Sequence, residues 1–111
     1  MRRTLLRTDE CHTRYSQTPK GDCPFCSSGL WQIVPNAFPY DAVAEKHDLL
    51  VAPRHVDFES LTKGELYDLR QMIKEITASE AYDAILWNTP KNQTVPGHFH
   101  LHLIQWKEVK L

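Results

Sequence analysis

The feature that most constrains the fold is the run Gly97-His98-Phe99-His100-Leu101-His102-Leu103-Ile104, in which three histidines alternate with apolar residues. Strict alternation is typical of a β-strand, because residues two apart share one face. The run predicts a strand with His98, His100 and His102 on one face and apolar side chains packed into the core. Neighbouring histidines then start roughly 6 to 7 Å apart and the outer two roughly 13 Å apart. One metal ion cannot bind all three, so we expect each imidazole to have its own task.

The alternative interpretation of this run is an amphipathic strand whose solvated polar face happens to be histidine. The chain has 6 histidines in 111 residues. Independent placement at that frequency would give such a triplet in about 2 of every 100 chains. Composition alone therefore explains the pattern poorly.

Size and composition predict one soluble domain with a single core, since the 111 residues are 41% hydrophobic and 24% charged. The net charge is -1 and the 13 basic residues are scattered, which disfavours binding to a nucleic acid backbone and favours a small charged metabolite. The first residues begin like a signal peptide, but the apolar run stops after Leu5 and Leu6. No stretch approaches a membrane span. We expect a cytoplasmic protein with no membrane partner.

The second chemical motif is Cys23-Pro24-Phe25-Cys26. Two thiolates at this spacing can bind one tetrahedral zinc ion, which needs two further ligands. The competing interpretation is a redox pair, because Cys-Pro-aromatic-Cys resembles a glutaredoxin active site. Redox pairs usually stand between a strand and a helix, whereas a Pro/Gly loop precedes this motif and Ser27-Ser28-Gly29 follows it, so zinc is favoured. His55 is a candidate third ligand, and Cys11 has no partner at motif spacing.

Hydrophobic patterning predicts a loosely attached arm over residues 1–22, a domain over 23–111, several short extended segments and one main helix. The extended segments are Trp31–Val34, Phe38–Val43, His47–Ala52, Tyr82–Trp87 and the histidine run, and the second of them has a turn in it. Thr62 and Glu65 form a capping-box pattern. They are followed by an apolar stripe that predicts an amphipathic helix of about 17 residues ending near Ser79.

The stretch Asn88–Gly97 is polar and turn-prone, and it leads directly into the histidine run. Its amide and hydroxyl groups can hold phosphate oxygens without excess positive charge. By itself the stretch is more typical of an ordinary hairpin connection.

Taken together, these segments resemble the histidine triad superfamily, which includes the galactose-1-phosphate uridylyltransferase branch. The resemblance extends from about Cys23 to Ile104. The matching segments are Cys23-Pro24-Phe25-Cys26, Pro35-Asn36-Ala37-Phe38-Pro39, Leu50-Val51-Ala52-Pro53-Arg54-His55, the polar loop Asn88–Thr94 and His98-Phe99-His100-Leu101-His102.

The resemblance implies an α+β nucleotide-binding domain with an antiparallel sheet of about five strands and one main helix, often paired as a homodimer. It implies that His100 attacks the α-phosphorus of a nucleotide and forms a transient nucleotidyl-histidine. It also implies that His102 contacts phosphate oxygens and that a structural zinc ion ties the N-terminal loop to the histidine strand. The implied zinc ligands are Cys23, Cys26, His55 and His98. The implied substrate-binding residues are Asn88, Gln93, Thr94 and His102 for phosphate and Asp41 for the ribose hydroxyls.

On this basis we expect a nucleotide hydrolase that cleaves at the α-phosphate of a nucleoside phosphoramidate, a dinucleoside polyphosphate or a related nucleotide. Nucleotidyl transfer to a phosphate acceptor is a close variant of this activity. A non-catalytic zinc module that binds nucleotide or a protein partner is an alternative from another class. A thiol redox protein that uses Cys23 and Cys26 is a third.

Overall fold

The computed structural model describes residues 5–18, 29–89 and 97–109. Two α-helices, four strands and one short 3-10 helix lie within them. In chain order they are α1 (Asp9–Gln17), β1 (Gln32–Pro35), β2 (Ala44–Val51), the 3-10 helix (Phe58–Ser60), α2 (Lys63–Ser79), β3 (Ala84–Leu86) and β4 (His100–Trp106). No helix in these three ranges is both long enough and apolar enough to cross a membrane.

The four strands form one antiparallel sheet in the order β1-β2-β4-β3. The central strands β2 and β4 are paired so that His47 lies opposite Ile104, Leu49 opposite His102 and Val51 opposite His100. Side chains of directly opposed residues lie on the same face of a sheet. His47, His100 and His102 therefore share one face, and Leu50, Leu101 and Leu103 lie on the other.

The second face of the sheet packs against α2 and contains the main core. Leu50 and Leu103 are fully buried, as expected for a sheet with one face covered by a helix. The core residues of this face are Leu50, Ala52, Leu61, Leu69, Ile76, Phe99, Leu101 and Leu103. The prediction that the apolar residues between the histidines pack into the core is confirmed.

Helix α2 begins and ends where its sequence pattern predicts. The Thr62 hydroxyl accepts a hydrogen bond from the Glu65 amide at 3.1 Å, and the Glu65 carboxylate accepts one from the Thr62 amide at 2.8 Å. This is the reciprocal capping box that satisfies two amides at the start of a helix. The helix ends before Glu80, whose φ of 57° places it in the left-handed region.

The α+β class and the antiparallel sheet agree with the prediction, but the described residues contain four strands where about five were expected. Phe38–Val43, predicted as an extended segment with a turn in it, forms no strand. The backbone amides of Val43 and Ala44 both donate to the carbonyl oxygen of Tyr40, at 3.0 and 2.8 Å. These bonds close a turn, so the amides are not available to a sheet ladder.

The stretch that the sequence predicted as a loosely attached arm contains helix α1. Thr8 is its N-cap and accepts a hydrogen bond from the Cys11 amide at 3.3 Å. Asp9 and Glu10 occupy its first turn, where the helix dipole favours negative charge. Only Cys11 among its residues is buried, so α1 has no apolar stripe for periodicity to detect. Hydrogen bonds to the Phe38–Asp41 segment hold it instead.

Candidate active site

The histidine face of the sheet is buried, not solvated. The exposed fractions of His47, His100 and His102 are 5%, 4% and 1%. His98 stands just before β4 and is 1% exposed. Imidazole rings withdrawn from water need hydrogen-bond partners inside the protein. The hydrogen-bond partners of each ring show which of its nitrogens carries a proton.

His100 is held in one tautomer by the backbone of its own strand. Its Nδ1 donates to the carbonyl oxygen of His98 at 2.8 Å. A neutral imidazole with its proton on Nδ1 carries the lone pair on Nε2. Burial lowers the pKa of His100 below its ordinary value, so the ring is neutral near pH 7. His100 therefore has the protonation state of a nitrogen nucleophile.

His102 is positioned by a chain of hydrogen bonds that starts in the turn before β2. The Tyr40 amide donates to His47 Nδ1 at 2.9 Å, which leaves the His47 proton on Nε2. That Nε2 donates to His102 Nδ1 at 2.8 Å. Two strands and a turn thus fix the orientation of the third histidine of the run.

Tyr40 and Asn88 complete the surroundings of His102. The Tyr40 ring stacks on the His102 ring, with centroids 5.2 Å apart and an interplanar angle of 17°. The Asn88 amide nitrogen lies 3.1 Å from His102 Nε2 and 2.7 Å from the Tyr40 hydroxyl. Because His102 accepts a hydrogen bond at Nδ1, its Nε2 carries the proton. A rotation of the Asn88 amide group by 180° exchanges its nitrogen and oxygen, so that the oxygen accepts a hydrogen bond from this Nε2.

Both members of the His47–His102 pair are uncharged at neutral pH. Burial, followed by the positive charge of Arg7, lowers the pKa of His47 to about 4. Burial, reinforced by His100, His47 and Arg7, lowers the pKa of His102 to about 3. The site therefore offers neutral imidazoles and polar donors to an anionic ligand.

Two of the four predicted zinc ligands, His55 and His98, lie side by side. Their ring centroids are 5.4 Å apart in an edge-to-face arrangement. His98 Nε2 donates to the Ala52 carbonyl oxygen at 2.8 Å, which puts the His98 lone pair on Nδ1. A hydrogen bond from the second ring nitrogen to a carbonyl is the usual support of a metal-binding histidine. His55 and His98 are thus the two described residues that the predicted zinc site would use.

The other two predicted ligands, Cys23 and Cys26, lie outside the described residues. Within the described part of the chain, no group of three or more His, Cys, Asp and Glu side chains is arranged to hold a metal ion. Cys11 is free and buried, and its thiol lies 3.4 Å from the Pro39 carbonyl oxygen. The zinc set therefore stays a prediction.

Of the predicted substrate-binding residues, Asn88 and His102 are brought together, whereas Gln93 and Thr94 lie outside the described residues. Asp41 has a structural partner. Its two carboxylate oxygens accept hydrogen bonds from the Thr8 amide and hydroxyl, both at 2.8 Å. Burial acts to raise the pKa of Asp41, but these hydrogen bonds lower it overall. The ribose contact predicted for Asp41 stays a prediction.

Sequence reasoning missed His47, Tyr40 and Arg7 as neighbours of the histidine run. His47 had a detectable signal, because it alternates with Leu49 and Val51 along one face of a strand. Tyr40 and Arg7 had none, since one lies in a turn and the other precedes a helix without an apolar stripe.

No protein-family model, no curated protein and no solved structure matches this chain.

Proposed function

We propose that the protein is a nucleotide hydrolase that cleaves at an α-phosphate through a covalent nucleotidyl-histidine on His100. The observation that carries the proposal is the 2.8 Å hydrogen bond from His100 Nδ1 to the His98 carbonyl oxygen. It assigns the proton to Nδ1 and the lone pair to Nε2, which is the nitrogen that would attack phosphorus.

In the first step, a bond forms between His100 Nε2 and the α-phosphorus while the bond from phosphorus to the leaving group breaks. The leaving group departs with that electron pair and takes up a proton. In the second step, the oxygen of a water molecule displaces Nε2 and the water proton is released. The product is a nucleoside monophosphate, and His100 returns to its neutral form. A phosphate acceptor in place of water would give nucleotidyl transfer.

The surroundings of His100 supply polar contacts for the transferring group. His102 is oriented by His47, and Asn88 stands beside it. A phosphate oxygen would take the place of Asn88 as the acceptor of the His102 Nε2 proton. Oriented donors of this kind stabilise charge that develops on phosphoryl oxygens. Asn88 and His102 are the residues proposed to contact the phosphate.

Zinc, where bound, would be held by His55 and His98 together with Cys23 and Cys26. Its contribution would be to fix the chain that leads into β4. His98 has two tasks in this proposal, because its side chain would bind the metal while its carbonyl oxygen accepts the hydrogen bond from His100 Nδ1. Zinc is thus assigned a structural part.

The proposal is tested by the intact mass of the protein after a neutral quench of its reaction with nucleoside phosphoramidates, diadenosine polyphosphates and nucleotide sugars. We expect the wild-type chain to gain the mass of one nucleotidyl group and His100→Ala to gain none. His12→Ala is the matched control, because His12 lies on α1 and its ring contacts Ser16. It should form the same adduct as the wild type.

Two outcomes contradict the proposal. An adduct on His100→Ala would place the nucleophile elsewhere. Nucleotide binding with neither adduct nor turnover in the wild type would favour a non-catalytic binding module.

A further inference from the structure

Arg7, in the segment before α1, is a described cation whose charge acts on both His47 and His102. The carbon at the centre of its guanidinium lies 4.9 Å from the centroid of the Tyr40 ring. The same Tyr40 ring contacts His47 at 4.5 Å and stacks on His102 at 5.2 Å, measured between centroids. One aromatic ring therefore bridges the guanidinium and both histidines.

Arg7 is held in this position by several contacts. Its Nε donates to the Phe38 carbonyl oxygen at 2.8 Å, and its guanidinium also lies over the Tyr15 ring at 4.6 Å. The side chain is half-buried. A guanidinium placed between two aromatic rings loses little further freedom when it binds an anion.

The electrostatic effect of Arg7 reaches both histidines. Its charge contributes, after burial, to lowering the pKa of His47 and of His102. A cation that disfavours protonation of a neighbouring imidazole favours the approach of an anion to the same place. The lowered pKa values and the ring contacts of Tyr40 both place the charge of Arg7 beside the two histidines.

Asp41 anchors the segment that carries Arg7. Its carboxylate accepts hydrogen bonds from both the amide and the hydroxyl of Thr8, the residue that follows Arg7 and caps α1. A carboxylate that receives two hydrogen bonds from one residue fixes the backbone of that residue. Asp41 therefore acts on the site through Thr8 and Arg7.

We infer that Arg7 is a specificity residue that binds the phosphate group of a nucleotide beside His102, and that Asp41 is the residue that positions it. This inference rests on the proposed function. It assigns the recognition of the phosphate charge to the segment before α1, and it assigns the preference for a nucleotide over a nucleoside to one guanidinium. Because Arg7 supplies the positive charge, His47 and His102 can stay neutral when an anion binds.

The experiment measures dissociation constants for adenosine, uridine and guanosine monophosphates and for the corresponding nucleosides, using the full chain. Arg7→Gln keeps an N–H donor for the Phe38 carbonyl oxygen but removes the charge. We expect it to weaken binding of the monophosphates about 10-fold and to leave binding of the nucleosides unchanged. Arg7→Lys, which keeps the charge, should retain most of the preference for monophosphates.

Arg14→Gln is the matched control, because it removes the same charge from α1. Its guanidinium donates to the Cys11 thiol and lies over Phe38, not over Tyr40. We expect it to bind monophosphates as the wild type does. Equal weakening by Arg14→Gln and Arg7→Gln would show a general effect of charge and would overturn the inference.

The role of Asp41 is tested by combining substitutions. If Asp41 acts through Arg7, Asp41→Asn weakens monophosphate binding only when Arg7 is present, and nucleoside binding does not change. If Asp41 contacts the ribose instead, Asp41→Asn should weaken the binding of nucleosides and monophosphates alike, also in a chain that already carries Arg7→Gln. That result would overturn the positioning role.

The outcomes separate this inference from the proposed function. Unchanged monophosphate binding by Arg7→Gln overturns the inference and leaves a nucleotide hydrolase possible. Failure of the wild-type chain to bind any of the three monophosphates overturns this inference, and the adduct experiment then decides the proposed function separately. Loss of adduct in His100→Ala together with unaltered binding in Arg7→Gln would keep the nucleophile and reject the phosphate contact.

Discussion

His47 and His102 share a 2.8 Å hydrogen bond between Nε2 and Nδ1 across the two central strands, although 55 residues separate them in the chain. The bond has a direction, since the Tyr40 amide occupies the other nitrogen of His47. His102 therefore depends on His47 for its tautomer and its orientation. A substitution at His47 should alter the chemistry at β4 while leaving every residue of β4 unchanged.

We expect His47→Gln and His47→Asn to differ. The amide nitrogen of glutamine reaches the place of His47 Nε2 and can still donate to His102, whereas that of asparagine cannot. A buried acceptor left without its donor costs on the order of 1 to 3 kcal/mol. His47→Asn should therefore lower the free energy of unfolding and the turnover rate more than His47→Gln does. Urea denaturation and steady-state kinetics measure the two effects, and equal losses in the two variants would contradict the directed bond.

Acid should unfold the protein through the same pair. The unfolded chain takes up protons on these histidines near pH 6.5, while the folded pKa values are about 4 for His47 and about 3 for His102. The unfolded state thus binds more protons below pH 6.5. The contribution that the two neutral histidines make to the free energy of unfolding is complete above pH 6.5, and it is lost progressively as the pH falls toward 4 and then 3. The free energy of unfolding should fall by up to about 1.4 kcal/mol per pH unit for each histidine.

This pH dependence is measured by urea denaturation at several values between pH 7 and pH 4. His47→Gln removes one of the two groups and should reduce the slope of the unfolding free energy against pH. A free energy of unfolding that rises as the pH falls from 6.5 to 4 would contradict the direction of the pKa shifts.

Two glycines provide a matched test of the contact between His55 and the start of the histidine run. Gly97 and Gly29 have φ values of +82° and +70°, so alanine at either site adopts a left-handed backbone at a cost of about 1 kcal/mol. A Cβ atom at Gly97 would lie 2.9 Å from His55 Nε2, whereas one at Gly29 would have nothing within 4 Å. Only Gly97→Ala should displace His55. We expect it to lower the zinc affinity roughly 10-fold relative to Gly29→Ala, as measured by competition with a chelator.

The proposed zinc set predicts that metal content and stability change together. Cys23→Ser and His55→Ala should each lower the zinc content per chain and the Tm, because binding of a structural metal contributes to the free energy of folding. His100→Ala should keep both, since His100 is assigned to the reaction. Elemental analysis and thermal denaturation make the comparison. Full zinc content and an unchanged Tm in the cysteine variant would reject this ligand set.

The helix and the strand with the strongest local patterns could be predicted from the sequence, because their determinants lie within a few residues. The Thr62–Glu65 capping box fixed the start of α2, and alternation placed Phe99, Leu101 and Leu103 in the core. Helix α1 escaped prediction since its attachment consists of hydrogen bonds between Thr8 and Asp41, which lie 33 residues apart. No local periodicity encodes such contacts.

The candidate site was predicted in part. Alternation placed His100 and His102 on one face, and the family resemblance supplied their roles together with Asn88, which lies beside His102. His47 joins them through strand register, which one strand alone cannot specify. The turn predicted within Phe38–Val43 is present, but the segment adds no strand to the sheet. That turn places Tyr40, whose amide orients His47 and whose ring lies against His102.

The alternation of β4 makes the position of each side chain depend on whether the number of residues before it is odd or even. Leu101 and Leu103 belong to the core for the same reason that His100 and His102 belong to the site. Insertion of a single residue between Leu49 and Val51, or between His100 and His102, would move the side chains on one side of the insertion to the opposite face. A change of length in the loop before Gly97 would leave the alternation within β4 unchanged. The two central strands can therefore change length only by even numbers of residues if both faces of the sheet are to keep their side chains.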